Sequence, residues 1–151
     1  MKKVNKKLYF LIVTFIFLLP NLGHADISSF YGTYSLIYTE GSCSQQPDLT
    51  IGDDSGRINE DGYLYIPSDV KYFIYKGVQS GDPFTHTIAV KGKEILVTRF
   101  IKAASDLSKG RTTVLKMKFS ANYKNGTITG NSTDDNLSGC QGIVKGTLKR
   151  N

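Results

Sequence analysis

The 151-residue chain has no tryptophan, two cysteines, two histidines and four prolines. Each scarcity removes a class of chemistry. His24 falls in a leader-like N-terminus, so imidazole chemistry in the remainder rests on His86 alone. A two-histidine zinc site of the protease type is thereby excluded, and a Ser-His-Asp triad has a single candidate base. The plain reading of His86 is a strand-start residue that hydrogen-bonds locally. Neither cysteine has a histidine beside it, so no neighbour in sequence activates a thiol. No Cys-x-x-Cys, phosphate-cradling Gly-rich loop or dinucleotide fingerprint occurs. Asp53-Asp54-Ser55-Gly56 is acid-rich like a calcium loop, but Arg57 stands where a third oxygen ligand belongs and the glycine spacing differs. Asp134-Asp135 fits a solvated loop equally well. The sequence therefore assigns no catalytic residue, no metal ligand and no cofactor. A paired-carboxylate glycosidase stays open, because any two of the 13 acids can meet in space.

Long apolar runs are also missing beyond residue 25. The one run, 8–19, is twelve residues interrupted only by Tyr9 and Thr14. That is short of the roughly 17–25 residues a membrane span needs. Lys2, Lys3, Lys6 and Lys7 precede it. Pro20 and the segment Gly23-His24-Ala25 follow, with small residues at the −3 and −1 positions of a cleavage site. These are the parts of a secretory signal peptide cleaved after Ala25. No cysteine follows the site directly, so a lipid anchor is not expected. The expectation is an exported protein, periplasmic or secreted, with a signal peptide over 1–25 and no stable membrane anchor after cleavage. Four of the 19 basic residues lie in that leader, leaving 15 against 13 acids, so the net charge falls from +6 to +2. The basicity belongs to targeting and does not point to nucleic acid.

What remains, 26–151, is the length of one ordinary domain with a real core. Two cysteines in an exported chain are most simply one disulfide, Cys43 to Cys140, with two free thiols as the alternative. The 96 residues between them make a long loop. In the chain-entropy view its closure stabilises by roughly 4–5 kcal/mol at most.

Period-two alternation dominates this part. Phe30, Gly32, Tyr34, Leu36 and Tyr38 share one face of an early strand, which ends near Cys43. Short strands are expected over 48–51 and 63–66. The segment 70–78 carries large residues on both faces, Tyr72 and Ile74 against Phe73 and Tyr75, so its core face is ambiguous. His86, Ile88 and Val90 line one face of the next strand. Gly92-Lys93 fits a two-residue type II′ turn into a return strand over 94–102. Residues 103–110 hold one helical turn at most, stopped by Gly110. The strongest alternation is 111–123, with Thr113, Leu115, Met117, Phe119, Ala121 and Tyr123 on one face. Asn125-Gly126 is the strongest short hairpin signal. A polar loop, 131–138, leads to a last strand opened by Cys140 with Val144 and Leu148 inward. The fold class is all-β, an up-and-down (meander) antiparallel β-barrel of about eight to nine strands, with a two-sheet β-sandwich as the alternative. Such a sheet must close or fold on itself to hide its edges. A bond between the first strand's end and the last strand suits closure.

Gly32-Thr33-Tyr34 on the first strand resembles the opening of the lipocalin and other calycin barrels, with Tyr34 where those families usually carry tryptophan. A cysteine in the last strand pairing back to an early segment is similar too. Avidin-type barrels open with a comparable Gly-Thr-Trp, and the tryptophans of their biotin site are absent here. The resemblance implies a small apolar ligand inside the barrel and carries over no ligand-binding residue.

Eight tyrosines follow residue 25: Tyr31, Tyr34, Tyr38, Tyr63, Tyr65, Tyr72, Tyr75 and Tyr123. They serve either as barrel filling or as amphipathic anchors around a pocket or partner surface. Asn125, Asn131 and Asn136 open glycosylation sequons, which matter only in a host that glycosylates. Two functional readings follow. One is a non-enzymatic binding domain holding a small apolar or amphipathic ligand. The other is a protein-interaction or inhibitor domain acting through its polar loops.

Overall fold

The same alternation that marks the strands in sequence decides which side chains leave water. The computed structural model describes residues 26–43, 48–79, 81–102, 110–133 and 140–151. The expected signal peptide, the expected helical turn in 103–109 and most of the polar loop before Cys140 lie outside the described residues. Within them run nine strands: β1 (Gly32–Cys43), β2 (Leu49–Gly52), β3 (Tyr63–Tyr65), β4 (Tyr72–Gln79), β5 (Asp82–Lys91), β6 (Glu94–Lys102), β7 (Gly110–Phe119), β8 (Asn125–Ser132) and β9 (Cys140–Arg150). One helical turn, Ile27–Phe30, precedes β1, capped by the Asp26 carboxylate accepting from the Ser28 N–H. A second, Ser55–Arg57, is capped by Asp54, the residue that gave this segment its calcium-loop look.

All nine strands belong to one sheet, ordered β3-β2-β1-β9-β8-β7-β6-β5-β4, which curls into a half-barrel. The fold is all-β and barrel-like, as the sequence predicts, and a single sheet forms in place of two packed layers. From β4 to β9 it is an antiparallel meander. The first long strand lies beside the last, antiparallel, with Leu36 opposite Leu148 and Cys43 opposite Cys140. Two register shifts in β1, between Tyr38 and Glu40 and between Glu40 and Ser42, mark bulges, which bend a strand and add to curl. β2 and β3 pair in parallel, a departure from the expected all-antiparallel order. The chain between them, which holds the turn Ser55–Arg57, carries it back to run alongside itself.

No ladder joins β3 to β4 among the described residues, so the sheet has one open seam. Aromatic side chains bridge it. The Tyr65 ring meets Phe73 at 5.9 Å and Tyr75 at 5.7 Å between centroids. The Asn59 side-chain oxygen accepts from the Val78 N–H on the β4 edge. This seam resolves the ambiguity of 70–78. Phe73 stands opposite Ile88 and Tyr75 opposite His86, so these two turn inward while Tyr72 and Ile74 stay exposed.

The concave face carries the core. Phe30, Tyr34, Ile51, Leu64, Ile66, Ile88, Val90, Ile95, Val97, Met117, Phe119, Ile128, Val144 and Leu148 are among its buried members. The helical turn Ile27–Phe30 closes one end, with the Phe30 ring edge-on to Phe119 and Tyr123. The β5–β6 turn is as predicted, with Gly92 at φ 58 and Lys93 not in the left-handed region, the signature of type II′. The next hairpin differs. Asn125-Gly126 lies inside β8, and the chain reverses at 120–124 instead. Asn122 organises that reversal, accepting from Ser120 Oγ and the Lys124 N–H through Oδ1. Tyr123 adopts φ 57 and packs its ring on Phe30. Gly126 is used for close approach, since a Cβ there would sit 2.8 Å from the Lys118 carbonyl oxygen.

Candidate functional site

Four polar or charged side chains are buried in the described residues: His86, Arg99, Thr113 and Ser132, each 4% exposed or less. They come from β5, β6, β7 and β8, and the register lines them up. Tyr75 is opposite His86, His86 opposite Arg99, Arg99 opposite Thr113, Thr113 opposite Ser132, and Ser132 opposite Gly142. Six adjacent strands thus contribute one rung, and five of its six members carry polar groups on the concave face. An apolar rung of Phe73, Ile88, Val97, Leu115 and Val144 lies deeper. On the other side stand Phe84 and Ile101, with the Arg111–Asp82 ion pair at 2.9 Å beyond them. The rung lies within four residues of the strand ends that flank 80–81, 103–109 and 134–139, and Ser132 is itself the last residue of β8. Those ends gather at one end of the sheet, opposite the end closed by Phe30.

The rung is a connected cluster. Tyr75 Oη and His86 Nδ1 lie 2.5 Å apart. The Arg99 guanidinium stacks over the Phe84 ring at 4.5 Å, within cation–π range. Phe84 and His86 rings are 4.9 Å apart, and Tyr75 and His86 rings 4.8 Å. Thr113 Oγ1 and Ser132 Oγ are hydrogen-bonded at 2.7 Å. His86 Nε2 has no partner among the described residues.

Electrostatics follow from burial. Desolvation, reinforced by the neighbouring Arg99 charge, pulls the His86 pKa down to about 3, so the ring is neutral at physiological pH. Burial raises the Tyr75 hydroxyl pKa, so this group stays protonated too; a hydrogen bond from the Tyr65 main chain and the Arg99 charge oppose the shift. The Tyr75 proton needs an acceptor, and His86 Nδ1 is the one beside it. Nδ1 therefore accepts and Nε2 carries the ring proton, an assignment made from the network.

Among the described residues of the rung, neither the Thr113 nor the Ser132 hydroxyl is within hydrogen-bond reach of the His86 ring by register. A general base must reach its nucleophile by hydrogen bond. Ser132 stands three strands from His86 and Thr113 two, about 14 and 10 Å at the usual strand spacing.

Sequence reasoning placed His86 at a strand start. It lies mid-strand and inward, bonded to a neighbouring strand, because it shares the parity of Ile88 and Val90. Arg99 was missed altogether. Its signal was a charge at the inward parity of Ile95, Val97 and Ile101. The tyrosines divide between roles. Tyr34 is wholly buried and donates to the Phe30 carbonyl, and Tyr31 donates to the Ile66 carbonyl with its pKa pushed up to about 12 by burial and by Asp53 and Asp26. Tyr75 alone joins the rung. Cys43 and Cys140 face each other in register at the end of the sheet nearest the rung; their side chains lie outside the described ones. Among the described residues, no group of three acid, histidine or cysteine side chains is placed to hold a metal ion. No described helix is long and apolar enough to cross a membrane, which says nothing of strands. The chain matches no family model, no curated protein and no solved structure.

Proposed function

We propose that this protein is an exported, non-enzymatic binding domain that carries a small amphipathic ligand in the concavity of its curled sheet. The observation that carries the reading is the buried polar rung set directly beside an apolar one. Burying polar groups costs stability unless something satisfies them, and His86 Nε2 stands without a partner among the described residues. A chain selected for stability alone would place apolar side chains at those inward positions, as it does in the deeper rung of Phe73, Ile88, Val97, Leu115 and Val144. An amphipathic ligand supplies both surfaces at once, apolar against Val97, Leu115 and Val144 and polar against the rung. In an oxidising compartment, a Cys43–Cys140 disulfide would tie β1 to β9 beside this end of the sheet, and their opposed register supports that bond.

A second reading has its own observation. Tyr72, Ile74 and Val78 on the edge strand β4 are each more than half exposed on the convex face. That stripe favours a protein-interaction or inhibitor domain, acting there or through its loops.

Titration with an uncharged dye that brightens in apolar surroundings tests the carrier reading. Saturable binding of one dye per chain, blue-shifted and weakened by Leu115→Asp, is the expected result. Absence of saturable binding, or binding removed by Ile74→Asp and unaffected by Leu115→Asp, would move the function to the convex face.

A further inference from the structure

We propose that the open edge of β4 pairs with the same edge of a second copy of this chain, antiparallel about a two-fold axis through Ile74. The pairing stands apart from the carrier reading and names a partner for the exposed β4 stripe. Its basis is the direction of the main chain. The Val90 N–H donates to the Lys71 carbonyl, so Lys71 and, at every second residue, Phe73, Tyr75 and Gly77 turn their main-chain groups toward β5. Tyr72, Ile74, Lys76 and Val78 therefore turn theirs outward, as the Val78 N–H does in donating to the Asn59 side chain. Among the described residues, nothing bonds the outward main-chain groups of Tyr72, Ile74 and Lys76. The ladder with β5 runs from Tyr72–Ala89 to Gln79–Asp82 without a bulge, and no proline interrupts β4. Bulges, proline and shortness are the usual guards of a sheet edge. The opposite edge, β3, has such a guard in its length of three residues.

β4 is complementary to itself in one register. With Ile74 opposite its own counterpart, Tyr72 faces the partner's Lys76, and each facing pair exchanges two main-chain hydrogen bonds. Aliphatic then meets aliphatic, and an ammonium lies beside an aromatic ring, both favourable cross-strand pairs. On the concave side Phe73 falls opposite the partner's Tyr75. An axis through Lys76 would instead set two ammonium groups face to face and would need the Val78 N–H that Asn59 already holds. Tyr72 and Ile74 are more than half exposed, so both are open to a neighbour. The eight residues of β4 span about 27 Å, and a sheet is about 10 Å thick, so edge pairing covers roughly 270 Å² per partner. That is about a third of a standard interface, which makes the dimer weak and dependent on concentration. The two copies use one patch each, so the contact closes on itself and does not grow into a fibre.

Sedimentation equilibrium of the purified protein, in the form the cell accumulates, tests the pairing between about 10 μM and 1 mM, the range a contact of this size implies. The mass is expected to rise from one chain toward two. Ile74→Pro is expected to stay monomeric with an unchanged circular dichroism spectrum, because the N–H it removes points away from β5 and the β4–β5 ladder keeps its bonds. Cysteine substitution reads the register. In Ile74→Cys two thiols meet across the axis, with Cα atoms about 5.5 Å apart, and mild oxidation links the chains. In Lys76→Cys each thiol faces the partner's Tyr72 and no link forms. The unaltered protein controls for Cys43 and Cys140. If Ile74→Pro does not fold, Ile74→Lys, an exposed change that sets two ammonium groups on the axis, decides in its place. A single chain up to 1 mM, or a dimer that both Ile74 variants leave intact, would overturn the pairing. Linkage through Lys76→Cys in preference to Ile74→Cys would overturn the axis at Ile74. A monomer that instead takes up an unrelated extended peptide, lost in Ile74→Pro, would give the edge to another chain and overturn self-pairing.

Discussion

His86 shows what a single buried residue contributes to the behaviour of the whole chain. Its pKa is about 3 in the fold against 6.5 for a free imidazole. Between those values the unfolded chain binds a proton that the folded chain does not, so stability falls as pH drops. The contribution is complete above about 6.5 and lost progressively toward about 3, with a slope near 1.4 kcal/mol per pH unit. Urea unfolding at pH 7.5, 6, 5 and 4 is expected to show that slope in the unaltered protein and a flatter one in His86→Gln, which titrates nothing. Parallel slopes for the two proteins would place the burial of His86 in error. None of this was visible in the sequence, where His86 is one polar letter among Thr85 and Thr87. What could be seen was its parity with Ile88 and Val90. Arg99 repeats the lesson on β6. A charge on the inward parity of a strand is unfavourable in isolation, and the residues that stand opposite it, His86 on β5 and Thr113 on β7, lie beyond the reach of local pattern.

At the scale of elements, strands were legible wherever one face is dry and the other wet. β5, β6 and β7 each alternate buried and open residues along most of their length, and the predicted return strand 94–102 coincides with β6. The miss was the turn after β7. Asn-Gly is the strongest local hairpin signal, but Tyr123 gains more by packing on Phe30 and Phe119 in a reversal at 120–124. Tertiary packing outweighed turn propensity there, and Asn122 supplied the side-chain hydrogen bonds that the earlier turn needs. The consequence is an ordering of two asparagines. Asn122→Ala is expected to lower unfolding free energy by about 1 kcal/mol, the usual worth of such bonds, and Asn125→Ala by less than half of that. Chemical denaturation of both variants measures it. A larger loss at Asn125 would put the turn back at Asn125-Gly126.

The described residues form one sheet curled into a half-barrel, and the proposed ligand sits in what that curl encloses. The adjacency of first and last strands was legible from one pair of cysteines, because a bond across 96 residues makes sense only where strand ends meet. The register that sets Cys43 opposite Cys140 fits that expectation. The open seam was not legible. It depends on β3 being three residues long and parallel to β2, and three-residue strands carry almost no periodic signal. The polar rung was illegible for a related reason. Tyr75, His86, Arg99, Thr113 and Ser132 are separated by 11 to 19 positions, and only five strands in register bring them level. A carrier reading explains why such a rung survives in a core that is otherwise apolar. Its most direct test is native mass spectrometry of the protein taken from its own exported fraction, beside the denatured mass. The account predicts a native adduct lost on denaturation, on a chain beginning at Asp26 and about 2 Da light from its disulfide. A bare native monomer, from a preparation that also fails to take up any amphipathic ligand, would contradict it.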